Sequence, residues 1–207
     1  GFAPAAAQDD EETTETYSVT QGEKCTTITP LGVGVEPVEE FYDYRTPETE
    51  PNASTYSSHG TISYQKNDAS LLFLHKGTEG LSLVVVHDKL FGGSPGGTVS
   101  MTFEGLPEDG KWVVQDDTYS ENISGGPDDE FVHSGSASRI TWVYGEGRTD
   151  GGAFRGGLEG DFELTVSPRF NIETDEQQNE SELSEWLVLS DSSSGYTSEQ
   201  LDMNRSL

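Results

Sequence analysis

The chain has 207 residues and a formal net charge of −27, from 38 acidic and 11 basic side chains. This charge repels phosphate backbones and anionic lipid headgroups, which argues against nucleic-acid binding and against binding at a membrane surface. No apolar run reaches the roughly 18 residues of a membrane-spanning helix, and the length is typical of one domain.

Residues 1–24 predict an acidic N-terminal arm, followed by a single domain over residues 25–207. The chain has no initiator Met and opens on an Ala-rich stretch, which is typical of the region around a secretory cleavage site. Cloning is the alternative reason for the missing Met. Within the arm, residues 17–20 have the alternation of a short strand.

Cys25 is the only cysteine, so no disulfide can form within one chain. The residues that follow it, 26–29, are strand-like in composition. We therefore expect a thiol that is buried and inert, and the alternative is a disulfide between two chains.

One short helix is predicted near residues 37–43, because Pro37 suits a first turn and Val38, Phe41 and Tyr42 fall on one face. From residue 59 onward the pattern is that of strands separated by Gly-rich turns. The alternating or apolar stretches lie at residues 61–64, 70–75, 81–87, 98–103, 111–115, 139–144, 162–166 and 185–189.

The stretches 70–75 and 81–87 flank a turn and predict a hairpin, whereas 116–130 and 173–184 are polar and predict loops. Many short strands with hardly any helix are typical of a sandwich or a barrel. We therefore predict an all-β fold, a single jelly-roll-like β-sandwich with one short helix and extended termini.

The acidic residues are spread along the whole chain, as in proteins of halophiles. At molar salt the Debye length falls to about 3 Å, so the self-repulsion of such a surface largely disappears. The alternative is an acidic protein of an ordinary organism. Four of the six asparagines stand in glycosylation sequons, which favours a glycosylated extracellular surface over chance matches in a Ser/Thr-rich chain. These are Asn52, Asn122, Asn179 and Asn204.

Carboxylate pairs are the most suggestive chemistry, because calcium takes six to eight hard oxygen ligands from flexible loops. The predicted calcium ligands are Asp116, Asp117, Asp128, Asp129 and Asp150. No regular calcium-binding loop is present, so solvated acidic loops are the alternative. Paired carboxylates could also serve a glycosidase, but the sequence sets no separation between them.

The single Gly-x-Ser-x-Gly, around Ser94, is followed by Pro95 and then by a strand, which indicates a hairpin turn instead of a nucleophile elbow. No histidine pair has metal-binding spacing on a helix. The three tryptophans stand in alternating strands, which favours core packing over a sugar-stacking platform. We therefore predict no enzymatic activity.

Several stretches of the chain resemble a family of uncharacterised secreted proteins from halophilic archaea. The resemblance implies an exported protein of such an organism and assigns no catalytic residue. It is carried by GEKCTTITPL (22–31), VEEFYDYRTP (38–47), LSLVVVHDK (81–89), GLPEDGKWVVQDD (105–117) and GRTDGGAFRGGL (147–158).

Together these features predict a non-enzymatic extracellular subunit that self-assembles into a surface filament or layer. N-terminal strand exchange is the expected mode of assembly, with Phe2, Tyr17 and Val19 as the assembly residues. The alternative is a calcium-dependent adhesion module or a carbohydrate-binding module that recognises surface glycans.

Overall fold

The fold is taken from a computed structural model, which describes residues 14–44, 58–115, 129–173 and 183–207. Several predicted site residues lie outside these ranges, so their predictions stay untested. They are Phe2, the carboxylates Asp116, Asp117 and Asp128, and the sequon residues Asn52, Asn122 and Asn179.

The described residues are mostly strands, and the predicted all-β sandwich is confirmed. The strands are β1 (Tyr17–Gln21), β2 (Lys24–Ile28), β3 (Ala69–Gly77), β4 (Gly80–His87), β5 (Gly97–Glu104), β6 (Lys111–Gln115), β7 (Glu130–Ser134), β8 (Ala137–Tyr144), β9 (Asp150–Arg155), β10 (Thr165–Arg169), β11 (Glu185–Ser192) and β12 (Gly195–Leu201). One helix, α1 (Val38–Tyr42), agrees with the predicted position, and a 3₁₀ turn covers His59–Thr61.

Two sheets form the sandwich. The larger has six strands in the order β12-β11-β3-β4-β9-β6, and the smaller has four in the order β10-β5-β8-β7. All pairings are antiparallel except that of β11 with β3, and β3 and β4 form the predicted hairpin. No helix in the described part of the chain is long and apolar enough to cross a bilayer.

The central strands β3 and β4 are covered on both faces, which explains why both read as almost continuous apolar runs. Leu72 and Val85 face the smaller sheet and belong to the main core. Phe73 and Val84 face the opposite way and pack in a second core with residues of α1. The predicted helix therefore acts as a cover for the outer face of the larger sheet.

The hairpin β1–β2 forms its own two-stranded sheet and joins neither large sheet. Side chains near its turn fasten it to the C-terminal residues. Gln21 donates from Nε2 to the carbonyls of Asp202 and Arg205, at 2.9 and 3.0 Å, and accepts from the Asp202 amide at 2.6 Å. Beyond this point Leu207 pairs with Val166 of β10 through two backbone hydrogen bonds. The C-terminal tail thus links the edge of one sheet to the edge of the other.

Three strands were not predicted, and one prediction is wrong. Residues 61–64 were expected to be extended, but Thr61 ends the 3₁₀ turn and residues 62–64 continue as turns, with local bonds such as Tyr64 N–H to the Thr61 carbonyl. The strands β7, β9 and β12 escape sequence reasoning because they are polar or Gly-rich. The strand expected at 162–166 begins later, at Thr165.

The expectation that Cys25 is buried is also wrong, because the thiol is exposed. β2 has the right composition for a strand, but it belongs to the small hairpin. Only alternate residues of this hairpin face the core, and Ile28 is the buried one in β2. Strand composition alone does not report whether a second layer covers a given face.

Candidate functional site

Buried polar side chains collect at one end of the sandwich, where β3 begins and β4 ends. We call this region the polar end. Its fully or almost fully buried members are Ser70, His87, Asp88, Thr98, Thr149 and Asp150. Polar groups are costly to bury without hydrogen bonds, so such a concentration identifies the first candidate site.

Ser70, His87 and Asp150 lie side by side on three neighbouring strands, on the face that points into the main core. The Ser70 hydroxyl and His87 Nδ1 are 2.9 Å apart. The imidazole sits edge-on to the ring of Trp142, with centroids 4.6 Å apart. Burial lowers the pKa of His87 to about 3, so the ring is neutral at physiological pH.

These three residues are of the types found in a nucleophilic triad, but a substrate cannot reach them. All three side chains are fully buried, and an attacking hydroxyl has to reach the reacting carbon of a substrate. Among the described residues, the Ser70–His87 contact therefore serves as a polar pair inside the core. It satisfies two groups that burial would otherwise leave without a hydrogen bond.

Two of the predicted calcium ligands belong to this end. Asp129 is buried and accepts from the Val143 amide at 2.9 Å. Asp150 is buried and accepts from the Gly151 amide at 2.8 Å. The neighbouring Trp142 donates from its indole to the Gly151 carbonyl, which brings the two segments together. Within the described ranges, no three side chains of the metal-binding types form a group that could hold an ion.

The remaining chemical candidates are separated in the fold. His75 lies near the far end of β3 from His87 and faces the second core, so these two histidines share no site. Ser94 is buried in the loop between β4 and β5, where its hydroxyl accepts from the Gly96 amide at 3.2 Å. These two strands belong to different sheets, so the predicted hairpin turn is wrong and the segment is a crossover between the sheets. The three tryptophans are buried in the main core, which confirms core packing and excludes the sugar platform. They are Trp112, Trp142 and Trp186.

A second candidate site is an apolar cleft of about 430 Å³ beneath the β1–β2 hairpin. One rim is formed by residues 17–20 of β1, and the other by residues 162–166 at the start of β10. The floor is apolar and comes from the hairpin and from the larger sheet. Its residues are Ile28, Leu72, Leu74, Leu83 and Val188, and Leu207 also lines the cleft.

The predicted assembly residues Tyr17 and Val19 line this cleft, and both are half-buried. The Tyr17 ring contacts that of Phe162 across the two rims, with centroids 5.8 Å apart. Burial, together with the nearby Glu15 carboxylate, raises the pKa of the Tyr17 phenol. The sequence pattern identified two rim residues, but it contained no signal for the cleft itself.

The sequence contains no signal for the cleft because the cleft arises from how the elements are arranged. Each floor residue occupies an ordinary inward-facing strand position, and the cleft forms where the hairpin packs against the core without pairing with either large sheet.

Asn204, the one predicted glycosylation residue in the described ranges, is exposed in the turn after β12. Its backbone amide donates to the Asp202 carboxylate at 2.9 Å, and its side chain makes no hydrogen bond to another described residue that would cover it. The side chain is therefore reachable from solvent.

No protein-family model matches this chain, and no curated protein and no solved structure resembles it significantly.

Proposed function

We propose that this chain is a non-enzymatic structural subunit that works outside the cell of a halophile. Copies of it assemble into a surface filament or layer, and the N-terminal residues make the contact. The observation that carries the proposal is the apolar cleft between the rim of β1 and the start of β10. Folded interiors contain few voids larger than a water molecule, so an open apolar cleft of this size favours an occupant.

The organisation of the N-terminal region supports the same proposal. β1 pairs with β2 on one edge, and its other edge pairs with no strand in the described part of the chain. β10 is the edge strand of the smaller sheet, and because Leu207 already pairs with it at Val166, the unpaired edge beside the cleft is that of β1. Unpaired strand edges accept further strands, and proteins that assemble outside cells exploit this.

The charge of the chain sets the conditions of assembly. At low ionic strength, copies that each carry −27 repel one another. Molar salt screens this repulsion within a few ångströms, so short-range apolar contacts then decide the association. We therefore expect assembly to increase with salt concentration, which is the reverse of an interface made of ion pairs.

Sedimentation velocity and negative-stain electron microscopy of the full chain in molar KCl test this proposal. We expect particles larger than a monomer that dissociate as the salt is diluted. Deletion of residues 1–13 keeps the hairpin β1–β2 and should leave a folded monomer. A matched control replaces the same residues by a Gly-Ser segment of equal length. A full chain that stays strictly monomeric in molar KCl would refute the proposal.

A second candidate function is a calcium-dependent adhesion or carbohydrate-binding module. One observation favours it: two of the predicted ligands, Asp129 and Asp150, are buried, and hydrogen bonds from neighbouring residues of β8 reach Asp129 and the Gly151 carbonyl that follows Asp150. This function predicts a rise in melting temperature with calcium that equal magnesium does not produce. The rise should disappear in Asp129→Asn and persist in Asp161→Asn, a control at an exposed carboxylate.

A further inference from the structure

The walls of the apolar cleft indicate what could fill it. Four of the lining side chains on the larger sheet are aliphatic, and the rims add the aromatic rings of Tyr17 and Phe162. The rims run for four to five consecutive residues each, which corresponds to about 13–17 Å of extended chain. A short extended apolar peptide fits these dimensions better than a compact ligand does.

The chain contains one segment of this description outside the described residues. Residues 1–8, GFAPAAAQ, carry no charge in a chain with 38 acidic residues. An acidic segment would lose the hydration of its carboxylates against apolar walls. Phe2 supplies one large ring, and the small alanines that follow let a backbone approach the rims closely.

The connection between this segment and β1 favours a second copy over the same chain. Residues 9–16, DDEETTET, contain five carboxylates and no Gly, Pro or Asn that would form a tight reversal. Folding back would also bring the carboxylates of residues 9–12 close to Glu163, which lines the cleft. A connector that extends away from its own cleft would avoid this repulsion.

We propose that residues 2–7 of one copy insert into the cleft of a second copy, with the Phe2 ring on the apolar floor. This inference rests on the proposed function and names the contact through which assembly occurs. The contact is head-to-tail, because donor segment and acceptor cleft are different surfaces of one chain. Such contacts generate a filament, or a ring where the rotation closes.

Disulfide capture between two differently tagged chains tests the contact. Both chains carry Cys25→Ser, so that no native thiol interferes. One chain carries Ala5→Cys, and the other carries Ser18→Cys, which is an exposed rim position. The matched control is Ser134→Cys, an exposed serine on β7 at the opposite edge of the smaller sheet. The chains are mixed and oxidised in molar KCl.

The inference predicts a disulfide-linked heterodimer with Ser18→Cys and at most trace amounts with Ser134→Cys. Equal capture at both positions means random collision and overturns it. A single chain that carries both Ala5→Cys and Ser18→Cys tests whether the segment binds within its own chain. If that chain closes an internal disulfide and the mixture forms no heterodimer, the segment occupies its own cleft and the inference is wrong.

Two further variants separate this inference from the proposed function. Phe2→Ser should raise the concentration needed for assembly by about 10- to 100-fold, from the loss of one buried ring. Val19→Trp, which fills the cleft, should act in the same direction, whereas Val132→Trp on exposed β7 should not. If both cleft-directed variants assemble like the parent chain, this contact is wrong while assembly itself stands. If the parent chain does not assemble, the proposed function fails first.

Discussion

The buried His75 makes the stability of the fold depend on pH. The residue is 1% exposed and stacks on Phe41, with ring centroids 4.0 Å apart and planes inclined by 20°. Burial lowers the pKa of the imidazole from 6.5 to about 4. Because the pKa of His75 is lower in the folded chain than in the unfolded chain, its full contribution to stability is present above pH 6.5. That contribution is lost as the pH falls toward 4, since the unfolded chain then binds a proton that the folded chain excludes.

The size of the effect follows from the two pKa values. Between about pH 7 and about pH 5, proton linkage lowers the free energy of unfolding by about 2 kcal/mol. His75→Phe removes the titrating group and retains an aromatic ring against Phe41. The variant should therefore lose about 2 kcal/mol less stability than the parent chain over this pH interval.

Urea unfolding in molar KCl, followed by tryptophan fluorescence, measures this difference. The parent and the variant are compared with each other at each pH, so the carboxylates and His87 contribute equally to both and cancel. His59→Phe is a control, because that ring is partly exposed and lies beside Asp43. Equal pH dependence of the parent and His75→Phe would refute the assignment of a buried neutral imidazole.

Three further predictions concern single residues. The exposed Cys25 thiol should react stoichiometrically with Ellman's reagent in the native protein, and a thiol that reacts only in denaturant would contradict its position. In urea titrations, Gly151→Ala should lower the free energy of unfolding by about 1–3 kcal/mol, because a Cβ at this position overlaps the Val85 carbonyl. The control Gly160→Ala, where a Cβ meets open space, should change the free energy of unfolding by less than about 0.5 kcal/mol. Gln21→Ala removes three hydrogen bonds to the C-terminal turn and should lower the stability of the N-terminal hairpin by about 1–3 kcal/mol. We expect faster proteolysis of this hairpin in the variant. Unchanged proteolysis would mean that other contacts hold the hairpin in place.

Local patterns were enough to predict the all-β class and most of the central strands. β3 and β4 are predictable because their apolar runs are long and a turn separates them. The helix α1 is predictable because its apolar residues share one face after a proline. The burial of the tryptophans follows from their place in alternating strands.

The strand β9 shows where local patterns fail. Its glycines oppose strand formation by propensity. In the fold, however, Gly151 lies under the Val85 carbonyl and accepts from the Trp142 indole, and Gly152 lies close to the ring of Trp112. The glycines are needed because large rings and a neighbouring strand approach the backbone. That requirement involves residues distant in sequence, so no window around β9 contains it.

The net charge, the strand-rich class and the absence of charged side chains in residues 1–8 can be read from the sequence alone, because they depend on composition and on short-range periodicity. The folded arrangement was needed to find that Cys25 is exposed, that Ser70 and His87 meet inside the core, and that a cleft lies under the β1–β2 hairpin. Exposure and cavities depend on how the layers of the fold cover one another. Which element covers a given face is determined by strands that are far apart in the sequence, so no local pattern reports it.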